Sequence, residues 1–179
     1  MTVVLATVFV LLFMAGEAMR SRDNERVLRR AGAAEPSDDV YRAMAWVYPL
    51  SFVVMGTEGL LRGRPNAAGA IAGAAAFLLA KALKYWAITT LGPRWTFRVL
   101  VPREATLVST GPYAYVRHPN YIAVIGEIIG FALFAGASIA GIASMLVFGA
   151  LVRRRIAVEE RALGVSDPGS RIPDPGRYT

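Results

Sequence analysis

The sequence has no cysteine and only one histidine, His118. Without cysteine the chain can form no disulfide, no thiolate zinc site and no cysteine nucleophile. A single histidine also excludes a metal site built from several imidazoles, so we predict no metal. Lysine is scarce too, because eighteen of the twenty basic residues are arginine. This bias, together with frequent alanine and glycine, is typical of a GC-rich bacterial genome.

The composition is strongly apolar: 55% of the residues are hydrophobic and the mean hydropathy is +0.42. Soluble domains usually contain about 45–50% apolar residues, and the excess here falls in long runs, as in membrane proteins. The formal net charge is +7. Because the basic residues flank the apolar runs, membrane topology and anionic lipid headgroups explain them, and we predict no nucleic-acid partner.

Five apolar runs predict an all-α fold, a polytopic transmembrane helix bundle of about five spans that ends in a helical hairpin. We expect the first run to be a span rather than a signal peptide, because no basic residue precedes it. The last two runs cover roughly 22–26 Å, against a hydrocarbon core of about 30 Å. Gly136 and Ser138 between them predict a tight turn. The runs are residues 2–18, 43–61, 67–91, 121–137 and 138–152.

The arginines are distributed unevenly between these runs. With five spans and the N-terminus outside, sixteen arginines face the cytoplasm and only Arg62 and Arg64 lie outside. This asymmetry follows the positive-inside rule. It puts the long loop at residues 92–120 and the pair Glu159-Glu160 on the cytoplasmic side of a bacterial inner membrane, where a soluble nucleotide-derived cofactor is available.

At the end of this loop, residues 110–121 (TGPYAYVRHPNY) contain two prolines, a glycine, three tyrosines, an arginine and the single histidine. Pro119 disfavours helix at His118 and can open the next helix. The free N–H groups of that helix would then favour an anionic group at the membrane surface. The alternative interpretation is an interfacial belt of Tyr, Arg and His with a helix cap.

Two further groups of charged residues stand out. Arg155 and Glu159 are four residues apart and share a helix face, which indicates either a site or an ordinary solvated helix end with a salt bridge. The other group lies inside or beside the apolar runs, where charges are expensive and usually functional. We expect Glu127 to face the bundle interior, whereas Lys84 can snorkel and Glu58 can sit at the outer interface. The group comprises Glu58, Lys81, Lys84 and Glu127.

Residues 91–163 resemble the isoprenylcysteine carboxyl methyltransferase and phospholipid methyltransferase superfamily. The resemblance rests on Gly111-Pro112-Tyr113, on RHPNY at residues 117–121, on the hydrophobic hairpin that follows, and on Arg155-Ile156-x-x-Glu159-Glu160. It implies S-adenosylmethionine as cofactor, with Arg155 meeting an anionic group of the substrate. For an acceptor that is a neutral hydroxyl, a base is needed, and either Glu159 or Glu160 is the candidate. The implied cofactor-binding residues are Tyr113, His118, Pro119, Tyr121, Gly126, Glu159 and Glu160.

On this basis we divide the chain into N-terminal transmembrane helices (residues 1–91), a cofactor-binding methyltransferase core (92–163) and an irregular tail (164–179). The expected acceptor is a lipophilic small molecule, methylated on a carboxylate or on an enol or phenol, such as an isoprenylcysteine, an alkylpyrone or an alkylresorcinol. We also expect the protein to contact membrane lipid. The small residues of the third run permit a homodimer.

Two other functions compete with this prediction. Membrane sterol-type reductases, which use NADPH, also carry a sequence like RHPNY followed by a Gly-Glu pair, here Gly126-Glu127, but they lack the Gly-Pro-Tyr lead-in. A non-enzymatic membrane component is compatible with Glu58, Glu127 and Lys81, but it does not explain why the rare residues cluster on one face of the membrane.

Overall fold

The computed structural model describes residues 1–63, 66–102 and 107–163 and shows a bundle of five α-helices. Within these ranges there is no β-strand, only an isolated bridge between Ala34 and Val101. The predicted all-α class is confirmed, while the predicted irregular tail lies outside the described residues. The helices are α1 (Thr2–Arg30), α2 (Tyr41–Arg62), α3 (Ala67–Leu91), α4 (Pro119–Ala135) and α5 (Ser138–Ala162), with short 3-10 turns at Gly92–Arg94 and Gly111–Ala114.

Three of the helices in the described ranges, α1, α2 and α3, are long and apolar enough to cross a membrane. Helix α4 is a shorter apolar helix of 17 residues. Helix α5 carries most of its apolar residues before Arg153 and continues beyond it to Ala162, as predicted. The chain is therefore a membrane protein with a helical bundle, and a full crossing by α4 and α5 stays a prediction.

Helix α1 is longer than the apolar run that predicted it, because it continues from Ala18 to Arg30. The helix continues because residues spaced three or four apart, some polar and some apolar, form a stripe that faces the bundle. Glu17, Ser21 and Leu28 are buried, and Asn24 is half-buried. The helix thus leaves the apolar region while one of its faces still packs against protein.

Helix α2 begins two residues after Asp39. Its N-cap residue is Val40, and the Asp39 carboxylate accepts a hydrogen bond of 3.0 Å from the backbone N–H of Tyr41. Helix α4 begins at Pro119 with His118 as its N-cap, as predicted, because proline has no N–H to leave unsatisfied at this position. Both boundaries place acidic or basic side chains at one end of the bundle.

The predicted tight hairpin between α4 and α5 is confirmed. Gly136 has a φ of +69°, the left-handed conformation that glycine adopts without strain, and α5 begins two residues later. Glu58 of α2 caps α5, since its carboxylate accepts from the N–H groups of Ile139 at 3.1 Å and Ala140 at 2.5 Å. Glu58 also pairs with Arg62 at 2.9 Å. An acid at a helix N-terminus is stabilising, which explains this charge at the end opposite to His118.

Helices α3 and α4 make the most extensive helix–helix contact in the described structure. Glycine allows this close approach: a Cβ at Gly130 would come within 2.5 Å of the Phe77 backbone nitrogen, and one at Gly73 would meet the α4 backbone. Part of the small-residue face of α3 is thus used inside the chain. Beside it, Phe52, Phe131 and Tyr48 form the aromatic centre of the core, with ring centroids 5.2 Å apart for both Phe52 pairs.

Candidate functional site

The start of α4 and the end of α5 meet in one polar cluster. The His118 ring nitrogen Nε2 lies 3.2 Å from Glu160 Oε1. The Tyr121 hydroxyl donates a hydrogen bond of 2.7 Å to Glu159 Oε2. These pairs join residues 38 and 42 positions apart in the chain. The structure thus brings together the two stretches that the sequence predicted to share one side of the membrane.

Arg155 occupies the centre of this cluster and is only 4% exposed. Its Nε donates to the Tyr121 hydroxyl at 3.2 Å, and its Nη2 donates to the backbone carbonyl of Phe97 at 2.6 Å. Its Nη1 forms an ion pair with Asp39. Each of the three guanidinium nitrogens therefore has a partner within the protein, and two of these partners, Asp39 and Phe97, were not predicted.

Electrostatics keep Arg155 charged despite its burial. Desolvation works to lower the pKa of Arg155, but its interactions with Tyr121 and Asp39 outweigh it and the pKa is raised. The pKa of Tyr113, which precedes α4, is raised above its usual value of 10, mainly by burial and also by the negative charge of Glu159. Tyr113 therefore lies within electrostatic reach of Glu159, and its role in binding a cofactor stays a prediction.

The turn that carries Tyr113 packs on the end of α3. Gly111 has a φ of +58°, and a Cβ there would come within 2.5 Å of the Thr90 hydroxyl and 3.2 Å of Trp86 Nε1. Any larger residue would have to push this turn away from α3. The glycine of the Gly-Pro-Tyr motif thus serves the packing of this turn on α3.

Helix α1 holds the segment that leads from α3 toward the cluster. The Asn24 side chain donates to the carbonyls of Gly92 at 3.1 Å and Trp95 at 2.7 Å. The Ser21 hydroxyl accepts from the Phe97 N–H at 2.8 Å. Because the Phe97 carbonyl binds Arg155, the polar stripe of α1 fixes one wall of the site, which the sequence pattern did not reveal.

Two predicted cofactor residues have structural roles in α4. Pro119 is fully buried as the first residue of the helix. Gly126 lies against Ala80 of α3, where an added Cβ would approach the Ala80 Cβ to 2.9 Å. Gly126 therefore serves the close packing of α3 and α4, and the contacts that the structure shows for it do not include the His118 cluster.

A second polar cluster lies inside the bundle, away from His118. Lys81 lies 3.0 Å from both Glu17 and Glu127, and Lys84 lies 2.5 Å from Glu17 and 3.5 Å from Glu127. Tyr48 donates a hydrogen bond to Glu127. Glu127 is fully buried, as predicted, and Lys84 is 2% exposed, so it pairs inside the bundle instead of snorkelling. Two acids and two lysines form a charge-balanced quartet that connects α1, α3 and α4.

A polar cavity of about 490 Å³ lies beside the linker between α1 and α2. Among the described residues that hydrogen-bond Arg155 directly, Asp39 alone lines it. The predicted cofactor residues do not line it, so it extends the cluster on the Asp39 side. Its lining residues are Glu35, Pro36, Ser37, Asp39, Tyr41, Arg42 and Arg98.

The fold and the cluster together define a polytopic membrane protein with a polar site at the joined ends of α4 and α5. The chain belongs to the isoprenylcysteine carboxyl methyltransferase (ICMT) family, which matches residues 72–165, just over half of the sequence. This segment contains His118, Tyr121, Arg155 and both glutamates. The resemblance of residues 91–163 to this superfamily is thereby confirmed.

Two similar bacterial proteins carry names without a stated activity. "Uncharacterized protein YpbQ" of Bacillus subtilis is 31% identical over 149 residues, which cover 83% of this chain and 89% of the relative. An "Uncharacterized protein" of Haemophilus influenzae is 30% identical over 99 residues, covering 55% of this chain and 58% of that relative. No solved structure matches the chain significantly. The first alignment is longer than the family segment, so the similarity reaches beyond residues 72–165.

Proposed function

We propose that this protein is an integral membrane methyltransferase that uses S-adenosylmethionine to methylate a lipophilic acceptor at the cytoplasmic face of a bacterial inner membrane. The observation that carries the proposal is the meeting of His118 and Tyr121 with Glu160 and Glu159. These residues lie in the segment that matches a family of membrane methyltransferases.

The residue types in the cluster fit the chemistry of S-adenosylmethionine. The cofactor offers a cationic sulfonium, an ammonium group and a ribose diol, for which carboxylates are suitable partners, and an adenine ring, for which aromatic side chains are suitable. Glu159 and Glu160 would meet the cationic or ribosyl parts, with Tyr113 and His118 beside them. The side chain of Glu160 is 31% exposed and that of His118 is 20% exposed, so both can be reached from the aqueous side.

The bound cofactor would supply a methyl group on an electrophilic sulfonium. The protein's part is to align the acceptor with that methyl group and to exclude water, and alignment alone can supply much of the acceleration. Glu159 is the candidate base for an acceptor that is a neutral hydroxyl. Arg155 is 4% exposed, and all three of its nitrogens already have partners in the protein. We therefore assign it to holding Tyr121 and thereby Glu159, instead of binding the acceptor.

The membrane setting favours an acceptor with a long apolar tail. The outward faces of the helices are apolar, with Leu12, Leu79 and Leu146 more than 60% exposed. An alkyl tail could therefore stay in lipid while the polar head enters the cluster. We propose O-methylation of a carboxylate, or of an enol or phenol such as an alkylpyrone or alkylresorcinol. A carboxylate acceptor needs no base, whereas an enol or phenol would pass its proton to the base as its oxygen takes the methyl group.

Calorimetric binding to the purified protein in lipid nanodiscs tests the cofactor. S-adenosylhomocysteine is expected to bind, and NADPH is not. Glu159→Gln should weaken the binding by about tenfold, because a charged hydrogen-bonding partner is lost. Asp23→Asn, a change at an exposed carboxylate paired with Arg26, is the matched control and should bind as the wild type does. Binding of NADPH without S-adenosylhomocysteine would support the reductase and reject this proposal.

Mass spectrometry of membrane extracts tests the reaction. Cells with the wild-type protein should contain a lipophilic compound that is heavier by one CH₂ than its counterpart in cells without the protein. The same difference should be lost with Glu159→Gln and kept with Asp23→Asn. Identical extracts, from cells in which the protein is present and folded, would argue against methyl transfer to an endogenous lipid.

A further inference from the structure

The counterion of Arg155 comes from outside the family segment. Residues 72–165 contain Arg155, Tyr121 and Glu159, whereas Asp39 belongs to the linker between α1 and α2. The ion pair between Asp39 and Arg155 joins positions 116 residues apart. The N-terminal half of the chain therefore supplies the charge that the centre of the cluster requires.

Asp39 is built into the structure more firmly than a surface acid. Its side chain is 4% exposed. Besides the Arg155 ion pair, Oδ1 accepts the N–H of Tyr41 at 3.0 Å, and Oδ2 accepts the N–H of Val99 at 2.9 Å. The adjacent Asp38 is different, because its side chain is 56% exposed and its ion pair in the described part of the chain is with the exposed Arg161. The two neighbouring aspartates thus offer a natural comparison.

Hydrogen bonds run in one direction from Arg155 to Glu159: Arg155 donates to Tyr121, and Tyr121 donates to Glu159. The Tyr121 hydroxyl accepts from Arg155 Nε, so its own hydrogen is free to point at Glu159. On the other side of the guanidinium, the Phe97 carbonyl accepts from Nη2. If Asp39 lost its charge, the buried guanidinium would lack a counterion, and Glu159 is the nearest other anion in this chain of contacts.

We propose that Asp39 is a positioning residue of the methyltransferase site, acting through Arg155 and Tyr121 on Glu159. Asp39 orients the guanidinium group of Arg155 and balances its positive charge, which leaves the Glu159 carboxylate available for cofactor and acceptor. Asp39 is not expected to move away from Arg155 when substrate binds, because two backbone N–H groups hold its carboxylate independently of Arg155. This inference rests on the proposed function, and it adds the linker between α1 and α2 to the site.

Five variants, Arg155→Met alone among them, test the role of Asp39 in the full-length protein in nanodiscs, with S-adenosylhomocysteine as the probe. Asp39→Asn should weaken binding by about tenfold or more, as truncation of buried charge pairs does, and should slow labelled methyl transfer from S-adenosylmethionine to a membrane lipid extract by a similar factor. Asp39→Glu keeps the charge but moves the carboxylate by one methylene, so it should fold and give a smaller loss, mainly in the rate of methyl transfer. Asp38→Asn should stay within about twofold of the wild type. In an Arg155→Met background, Asp39→Asn should add almost nothing.

The outcomes separate the positioning role from a structural one. If Asp39→Asn and Asp39→Glu lower the unfolding temperature but bind and react like Asp38→Asn, the positioning role is wrong. Full additivity of Asp39→Asn and Arg155→Met would also overturn it, because the two residues would then act independently. If the wild-type protein itself does not bind S-adenosylhomocysteine, the proposed function fails, and the role of Asp39 in it fails with it.

Discussion

Replacing Glu127 by glutamine leaves the buried quartet with two lysines and one acid. In the wild type, Glu127 lies 3.0 Å from Lys81 and 3.5 Å from Lys84, and its side chain is fully inaccessible. A lysine that loses its partner at such a site keeps the desolvation penalty without the attraction. Breaking a buried ion pair from one side typically costs about 3–5 kcal/mol.

This cost predicts a measurable change in thermal unfolding. For a chain of this size, a loss of about 1 kcal/mol lowers Tm by roughly 2–4 °C, so Glu127→Gln should lower it by about 6–20 °C. The double variant Glu127→Gln with Lys84→Met removes one charge of each sign and leaves Glu17 paired with Lys81 at 3.0 Å. Its Tm should lie well above the value expected from the sum of the two single changes.

The assay is the unfolding midpoint of the purified protein in nanodiscs at one fixed heating rate. Asp23→Asn, an exposed carboxylate in a surface pair with Arg26, is the control and should change stability by no more than about 0.5 kcal/mol. Equal Tm values for Glu127→Gln and Asp23→Asn would refute the reasoning. Strict additivity of the two quartet substitutions would refute it as well, since the charges would then not be coupled.

Two other perturbations have effects that follow from the structure. Glu58→Gln weakens the cap of α5, so it should lower stability by about 1 kcal/mol in the same unfolding assay and leave S-adenosylhomocysteine binding unchanged; a change in binding alone would contradict this. Burial works to raise the pKa of Glu35, but hydrogen bonds from Arg29 and Arg98 outweigh it, so the pKa lies below the usual 4.5. A depressed folded pKa gives stability that is present above pH 4.5 and is lost as the pH falls through the folded pKa. The unfolding midpoint of Glu35→Gln should therefore fall less than that of the wild type between pH 5 and pH 3, and parallel curves would refute this assignment.

Local sequence signals predicted most of the fold. Apolar runs gave the five helices, and Pro119 and Gly136 gave the ends of α4, because proline and glycine act on the backbone where they stand. The end of α1 was missed, since the prediction followed the apolar run while the helix continues to Arg30 on a polar stripe. Helix formation and burial in the membrane are separate requirements, and only the second needs apolar residues.

The candidate site was predicted in part, for a similar reason. Charge asymmetry and the family resemblance brought His118 and Glu160 to one end of the bundle. Neither signal reveals long-range pairing, so the ion pair of Asp39 with Arg155 could not be read from the chain. Glu17 is different, because an acid inside the first apolar run was a visible signal for a partner of Lys81 or Lys84.

Photo-crosslinking of labelled S-adenosylmethionine tests the central claim most directly, because it reports which parts of the chain touch the cofactor. The protein in nanodiscs is irradiated with the labelled cofactor and digested, and the labelled peptides are identified. We predict label on two peptides, one from residues 111–121 and one from residues 153–163, both suppressed by excess S-adenosylhomocysteine. Label confined to other helices, or label that the competitor does not reduce, would contradict the account.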